Sequence, residues 1–234
     1  MKLKFLGNGS GFSETHTNAY FEQGNDFVII DLSLLNLKKL LSLKPYEKET
    51  YLFITHMHDD HVSGVTLLVQ HYFYLHNKKL NLVVPRSIVS DIKIDFFVKG
   101  LHLNMVNLII ADDFIESVNC SWFKGEVIYT KHSPELDGKC AGYVFYIDDT
   151  KCVYSGDTCI LEPYIPCLRE SFSPCEFYVD IAADYGIVHL KYEDVRKKLY
   201  MINSYCVDIY MMHIDNAEKL SLLISGTPFK MVTI

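Results

Sequence analysis

At 234 residues and 49% hydrophobic content, the chain is long enough to bury a sizeable core as one domain, residues 1–234. A formal net charge of −7 argues against an extensive nucleic-acid footprint, which would draw on Lys and Arg, although a local basic patch can coexist with net acidity. Seven cysteines, an odd number without Cys-x-x-Cys, argue against a disulfide framework or a structural zinc knot, and no apolar run approaches the about 18 residues of a membrane span. A reducing cytoplasm is the expected location.

The start of the chain has too little apolar content for a signal peptide, and residues 3–6 read as a first strand. Gly7-Asn8-Gly9-Ser10-Gly11 follows. It has neither the spacing of a dinucleotide fingerprint nor the Lys-Ser/Thr of a P-loop, so by itself it is a tight turn. Residues 19–21 and 27–30 flank Gln23-Gly24-Asn25-Asp26, a hairpin by composition. Leu34, Leu35, Leu37, Leu40 and Leu41 predict an amphipathic helix over 34–43 that Pro45 helps to end.

Next comes the densest chemistry in the chain. The apolar run Tyr51-Leu52-Phe53-Ile54 predicts a buried strand. After it, Val62, Val65, Leu68, Val69, Tyr72 and Phe73 fall at helical spacing. Between them lies Thr55-His56-Met57-His58-Asp59-Asp60-His61, a strand-to-helix turn where α/β folds commonly place ligands. Imidazole and carboxylate are preferred ligands of zinc and other first-row metals, and such crowding is costly without a cation.

His56-x-His58-x-Asp60-His61 after a hydrophobic strand resembles the signature of the metallo-β-lactamase superfamily. The resemblance implies an α/β fold, a single-domain four-layer αβ/βα sandwich with a dinuclear metal site between its sheets. The glycine-rich turn resembles the Gly-x-Gly-Ser-Gly of the ribonuclease Z branch. On that resemblance His16, Thr17 and Asn18 border the substrate pocket; otherwise they are ordinary loop polars. Asp31 would order the turns behind the metal loop without being a ligand.

The rest of the chain resembles the family at matching points. His71 and His76, among aromatic neighbours, suit surface or packing roles, and His102 has no motif around it. Residues 80–84, 106–110 and 122–129 predict strands, while 88–101 mixes helical and extended signals. His132 ends a strand before Cys140-Ala141-Gly142-Tyr143, as the family's next ligand does. Cys152-Val153-Tyr154 runs into Ser155-Gly156-Asp157-Thr158, resembling the family's bridging aspartate, and Ile209-Tyr210-Met211-Met212 ends in His213, resembling its last ligand.

By this resemblance His56, His58 and His132 hold one divalent ion and Asp60, His61 and His213 the other, with Asp157 shared. Zinc suits the imidazole-rich set; manganese, iron or nickel are also compatible. Such a pair of ions, about 3.5–4 Å apart, clamps a scissile group and brings the pKa of a bridging water towards neutrality. The catalytic residues it implies are Asp60 and His189, the latter resembling the histidine of ribonuclease Z-like enzymes that assists the leaving oxygen. The glutamate with which that family pairs it is missing from Val179-Asp180-Ile181-Ala182-Ala183-Asp184, leaving Asp180 or Asp184 as substitutes.

The resemblance points to a phosphodiesterase. Only 25 positions separate His132 from Asp157, with no room there for the long arm by which many ribonuclease Z enzymes take tRNA. Compact armless relatives include the phage anti-Pycsar enzymes that destroy cyclic mononucleotide signals. The leading expectation is therefore a small phosphodiester or nucleotide substrate, with cyclic nucleotides among the candidates, and no membrane partner; the resemblance alone implies a homodimer. The alternatives are RNA 3′ processing, another hydrolysis on the same site (lactone, thioester or arylsulfate), and a non-catalytic nucleotide-binding protein. The 16 Tyr and 14 Phe could offer stacking surfaces, but aromatics usually belong to the core.

Overall fold

A computed structural model describes residues 1–114, 118, 120–169 and 174–234. Its strands alternate between two buried faces. In β4 (Glu49–Phe53), Tyr51 and Phe53 point into one apolar cluster while Leu52, with Ile54 just beyond, points into another. A strand with a side-chain period of two and helices or a second sheet on each face must be apolar at nearly every position, as this one is.

The first sheet has the order β1 (Lys4–Gly7), β2 (Asn18–Gln23), β3 (Asp26–Ile30), β4, β5 (Leu80–Val84) and β6 (Val106–Ile110). The β1–β2 and β2–β3 pairs are antiparallel, and the remaining pairs are parallel. The second runs β12 (Lys230–Met231), β11 (Val207–Met212), β10 (Cys175–Asp180), β9 (Thr150–Tyr154), β8 (Cys140–Ile147) and β7 (Phe123–Thr130). Here β9 to β12 are parallel, while β8 is antiparallel to both β7 and β9. Consequently β7, β9, β10 and β11 all finish at one edge of the sheet.

Facing side chains of the two sheets form the central core. Phe53 meets Phe114, Trp122, Phe123, Tyr143 and Phe145 at ring-centroid distances of 4.9–6.0 Å. Burying one such ring contributes about 1.5–3 kcal/mol. Outside the first sheet lie α1 (Leu34–Ser42), α2 (Asp59–Val62), α3 (Val65–Gln70) and α4 (Val89–Val98). Outside the second lie α5 (Ile165–Arg169), α6 (Tyr192–Asn203) and α7 (Ala217–Ile224). In α6 the buried residues Tyr192, Val195, Leu199 and Ile202 recur at three- and four-residue steps, the stripe a helix needs to cover a sheet. The result is the four-layer αβ/βα sandwich of the metallo-β-lactamase fold.

Some local expectations shift. The mixed segment 88–101 is helical over Val89–Val98. The helix at 34–42 buries Leu40 but leaves Leu34 and Leu35 exposed, so its leucine pattern overstated its contact with the sheet. His76 stacks on Tyr46 at 3.8 Å, a packing role. Most aromatics are core, and no helix among the described residues is long and apolar enough to cross a membrane.

Candidate metal centre

The metal-loop turn leaves β4 at the rim between the two sheets. Asp31 holds it from behind: the carboxylate accepts the Thr55 backbone N–H and hydroxyl, each at 2.8 Å, and the His61 Nδ1–H at 2.8 Å. That bond turns His61 Nε2 towards Asp60 Oδ2 and Asp157 Oδ1, both 3.3 Å away. Asp31 is thus an orienting group, in the place the sequence assigned to it. Asn18, buried, accepts the Ser33 N–H and donates to the Asp60 carbonyl.

The opposite wall comes from strand ends of the second sheet. His132 follows β7 and donates Nδ1–H to the Val188 carbonyl at 2.8 Å, leaving Nε2 3.2 Å from His58 Nδ1 and 3.7 Å from Asp157 Oδ2. Asp157 follows β9 across Gly156, whose φ of +59° suits glycine and whose missing Cβ would lie 2.8 Å from the Ala141 carbonyl. His213 follows β11 with φ +58°, a left-handed turn unusual for a side-chain-bearing residue, held by its N–H bond to Thr17 Oγ1 at 3.0 Å. Its Nε2 stands 3.1 Å from Asp60 Oδ2 and 3.3 Å from Asp157 Oδ2.

All seven residues named from sequence converge. His56, His58, His132 and Asp157 form one group of donor atoms and Asp60, His61, Asp157 and His213 another, each with its atoms within 4.8 Å of one another. A third grouping of Asp157, Asp180, His189 and His213 meets the same criterion. In it Asp180 already accepts hydrogen bonds from His189 and from the Thr158 N–H. Donor chemistry also fits divalent ions. The buried Nε2 atoms of His56 and His61 have no hydrogen-bond partner among the described residues, the condition a metal ligand is built to meet.

Electrostatics follow from the crowding. Burial works to raise the Asp157 carboxyl, but His213 and His61 outweigh it and hold it well below the usual range. Asp60 is likewise held low against burial, chiefly by His61 and then His213. Burial opposes protonation of His213, yet Asp157, Asp180 and Asp60 together push its pKa up to about 10; His61 rises in the same way. His56, buried among other histidines, moves down. The same carboxylates that raise His61 and His213 would favour any positive charge placed among them, a divalent ion included.

The partner of His189 is Asp180. Its Oδ2 lies 2.7 Å from His189 Nδ1, and its Oδ1 lies 3.6 Å from His213 Nδ1. Asp184 points elsewhere, to Lys219 and Asn216. Asn216 caps the helix that follows His213, and the Asp215 carboxylate accepts the N–H groups of Ala183, Asp184 and Tyr185. The glycine-rich turn is more than a link between strands, since Ser10 N–H bonds the Ile214 carbonyl and Ile214 N–H bonds the Asn8 carbonyl, beside His213. His16 lines the cavity, whereas Thr17 and Asn18 are buried scaffold. Phe12 and Tyr185, which no motif singled out, stand on the same cavity.

Among known structures, the metallo-β-lactamase fold protein YhfI from Bacillus subtilis is 15% identical with a TM-score of 0.72, over 98% of this chain and 94% of that one. The short form of human tRNase Z is 13% identical with a TM-score of 0.66, over 100% and 96%. Zn²⁺-bound PqqB from Methylobacterium extorquens is 9% identical with a TM-score of 0.72, over 99% and 97%. At these identities the likeness establishes the fold. No curated protein matches by sequence. The family model of the anti-Pycsar protein Apyc1 matches residues 1–222, and the chain belongs to that family.

Proposed function

We propose that the chain is a dinuclear-metal phosphodiesterase that hydrolyses a small phosphodiester, a cyclic nucleotide first among them. The observation that carries this reading is the pair of four-residue donor sets that share Asp157 at the junction of the two sheets. His56, His58 and His132 with Asp157 would hold one ion, and Asp60, His61 and His213 with Asp157 the other. Two divalent ions there, zinc by donor chemistry, would supply charge stabilisation for a phosphoryl group and water activated near neutral pH.

The chain's own residues complete the chemistry. Asp180 accepts from His189 Nδ1, so the proton to be delivered sits on Nε2 of a ring that lines the cavity. Burial disfavours the imidazolium, but Asp180 outweighs it and raises the His189 pKa. A protonated imidazole beside the scissile phosphate is placed to protonate the leaving oxygen, a contribution of about 10²–10⁴-fold. Membership of the anti-Pycsar family favours cyclic mononucleotides as substrate.

The test is turnover of a panel of 3′,5′-cyclic mononucleotides by metal-replete protein, with a precursor tRNA and a lactone alongside. Loss of cyclic nucleotide with release of a monoester supports the reading; a panel left intact sinks it. The tRNA arm addresses the RNA alternative, which the fold of human tRNase Z supports. No Lys or Arg lines the cavity among the described residues, so away from the candidate metal centre an extended polyanion meets no basic side chain in it. Family resemblance also implies a homodimer, which sedimentation would detect.

A further inference from the structure

The cavity over the metal centre measures about 920 Å³, far more than one phosphate fills. Its polar lining comprises candidate ligands together with Ser10, His16, Asp59, His189 and Asp215. The remaining wall includes Phe12, Ala182, Tyr185, Ile187 and Val188. Phe12 is fully exposed, Tyr185 is 75% exposed and Ile187 93%. Exposed apolar side chains on the wall of a cavity that also carries polar chemistry mark a surface that a ligand covers.

The two aromatic residues are carried on fixed loops. The turn bearing Phe12 is closed by the Ser13 N–H to the Ser10 carbonyl at 2.9 Å, and Ser10 is tied to Ile214 at 3.1 Å. At Gly11 a Cβ would stand 3.2 Å from Asp60 Oδ2, so the loop lies directly against a candidate ligand. On the other side Tyr185 donates its backbone N–H to Asp215 at 2.9 Å, and Ala183 and Asp184 donate to the same carboxylate. A ring carried on hydrogen-bonded backbone has less conformational freedom to lose on binding a flat apolar group than one on unpaired backbone.

We infer that Phe12 and Tyr185 form the platform on which the nucleobase of the substrate stacks while its phosphate sits at the metal centre. This assignment rests on the phosphodiesterase reading above and adds to it the part of the substrate that is recognised away from the reacting bond. Base–aromatic stacking corresponds to about five- to 150-fold in affinity per base. A phosphate without a base forfeits that gain.

The experiment compares adenosine 5′-monophosphate with ribose 5-phosphate by calorimetry on the metal-loaded full chain. Wild type should bind the nucleotide at least about fivefold more tightly. In the Phe12→Ala/Tyr185→Ala double variant that ratio should fall to about one, and Tyr185→Phe should restore it beside wild-type Phe12. Both side chains are exposed, and circular dichroism would verify that each variant is folded. A wild-type ratio near one, or a ratio unchanged by the double substitution, overturns the platform. So does an unchanged ratio with an altered sedimentation coefficient, which would make the rim a contact between copies. Because binding is measured without turnover, failure of the phosphodiesterase reading would appear separately, as intact substrate with the binding ratio preserved.

Discussion

The two halves of the molecule bring their candidate ligands together in opposite ways. The first half offers His56, His58, Asp60 and His61 from one turn six residues long. The second offers His132, Asp157 and His213 one at a time, from the ends of three strands, with Asp180 at the end of a fourth. Local geometry fixes the first set once Asp31 and Thr55 brace the turn. Sheet register brings the second together: β9, β10 and β11 are parallel neighbours and β7 runs the same way, so residues far apart in sequence emerge at one edge. The contrast teaches that a compact motif resists local change, whereas a distributed set depends on every strand that carries it.

Substitution at the shared group should have the largest effect. Asp157→Ala removes a donor from both sets, so on the proposed function metal content should fall from two ions to at most one, and turnover by about 10³-fold or more. A still-active protein that retains both ions by elemental analysis would overturn the proposal that Asp157 is a shared ligand. Next, His189→Ala should lower kcat by about 10²–10⁴-fold while leaving metal content intact, which separates acid delivery from ion binding.

Orienting groups permit a direct comparison of the halves. Asp31→Ala and Asp180→Ala each remove a carboxylate behind a histidine, an effect of about 10–100-fold in metal affinity or activity. Loss of Asp31 should weaken metal retention in a chelator titration. Loss of Asp180 should fall more heavily on kcat, because its closest partner is His189. Equal losses of metal from both variants would erase the distinction.

Proton linkage offers a subtler test. In the metal-free chain, His213 has its pKa raised to about 10 from an ordinary value near 6.5, so its ion pairs contribute stability that is fully present below about pH 6.5 and is lost as pH rises through 10. Metal-free protein should therefore melt at progressively lower temperature across that interval. Metal loading should release protons, visible as a buffer-dependent heat in calorimetry. A flat melting profile would mean that the carboxylates do not hold a proton on His213. The smallest effect expected is that of Gly156→Ala, which forces a Cβ against the Ala141 carbonyl and into a left-handed φ, at a cost of about 1–3 kcal/mol measured by denaturant melts.

Sequence alone determined the spacing of the metal-loop turn, the strand-then-histidine pattern at His132 and His213, and the order of motifs that identified the fold. These are properties of near neighbours, and apolar periodicity makes them legible. Tertiary structure decided that Asp180 rather than Asp184 faces His189, because β10 ends beside β11 while Asp184 turns outward to Lys219. It also decided which of 30 phenylalanines and tyrosines leave the core for the rim, since Phe12 and Tyr185 differ from buried rings only in the loops that carry them. Side-chain chemistry is written in the chain, but which side chains share a cavity depends on strand pairing between distant segments.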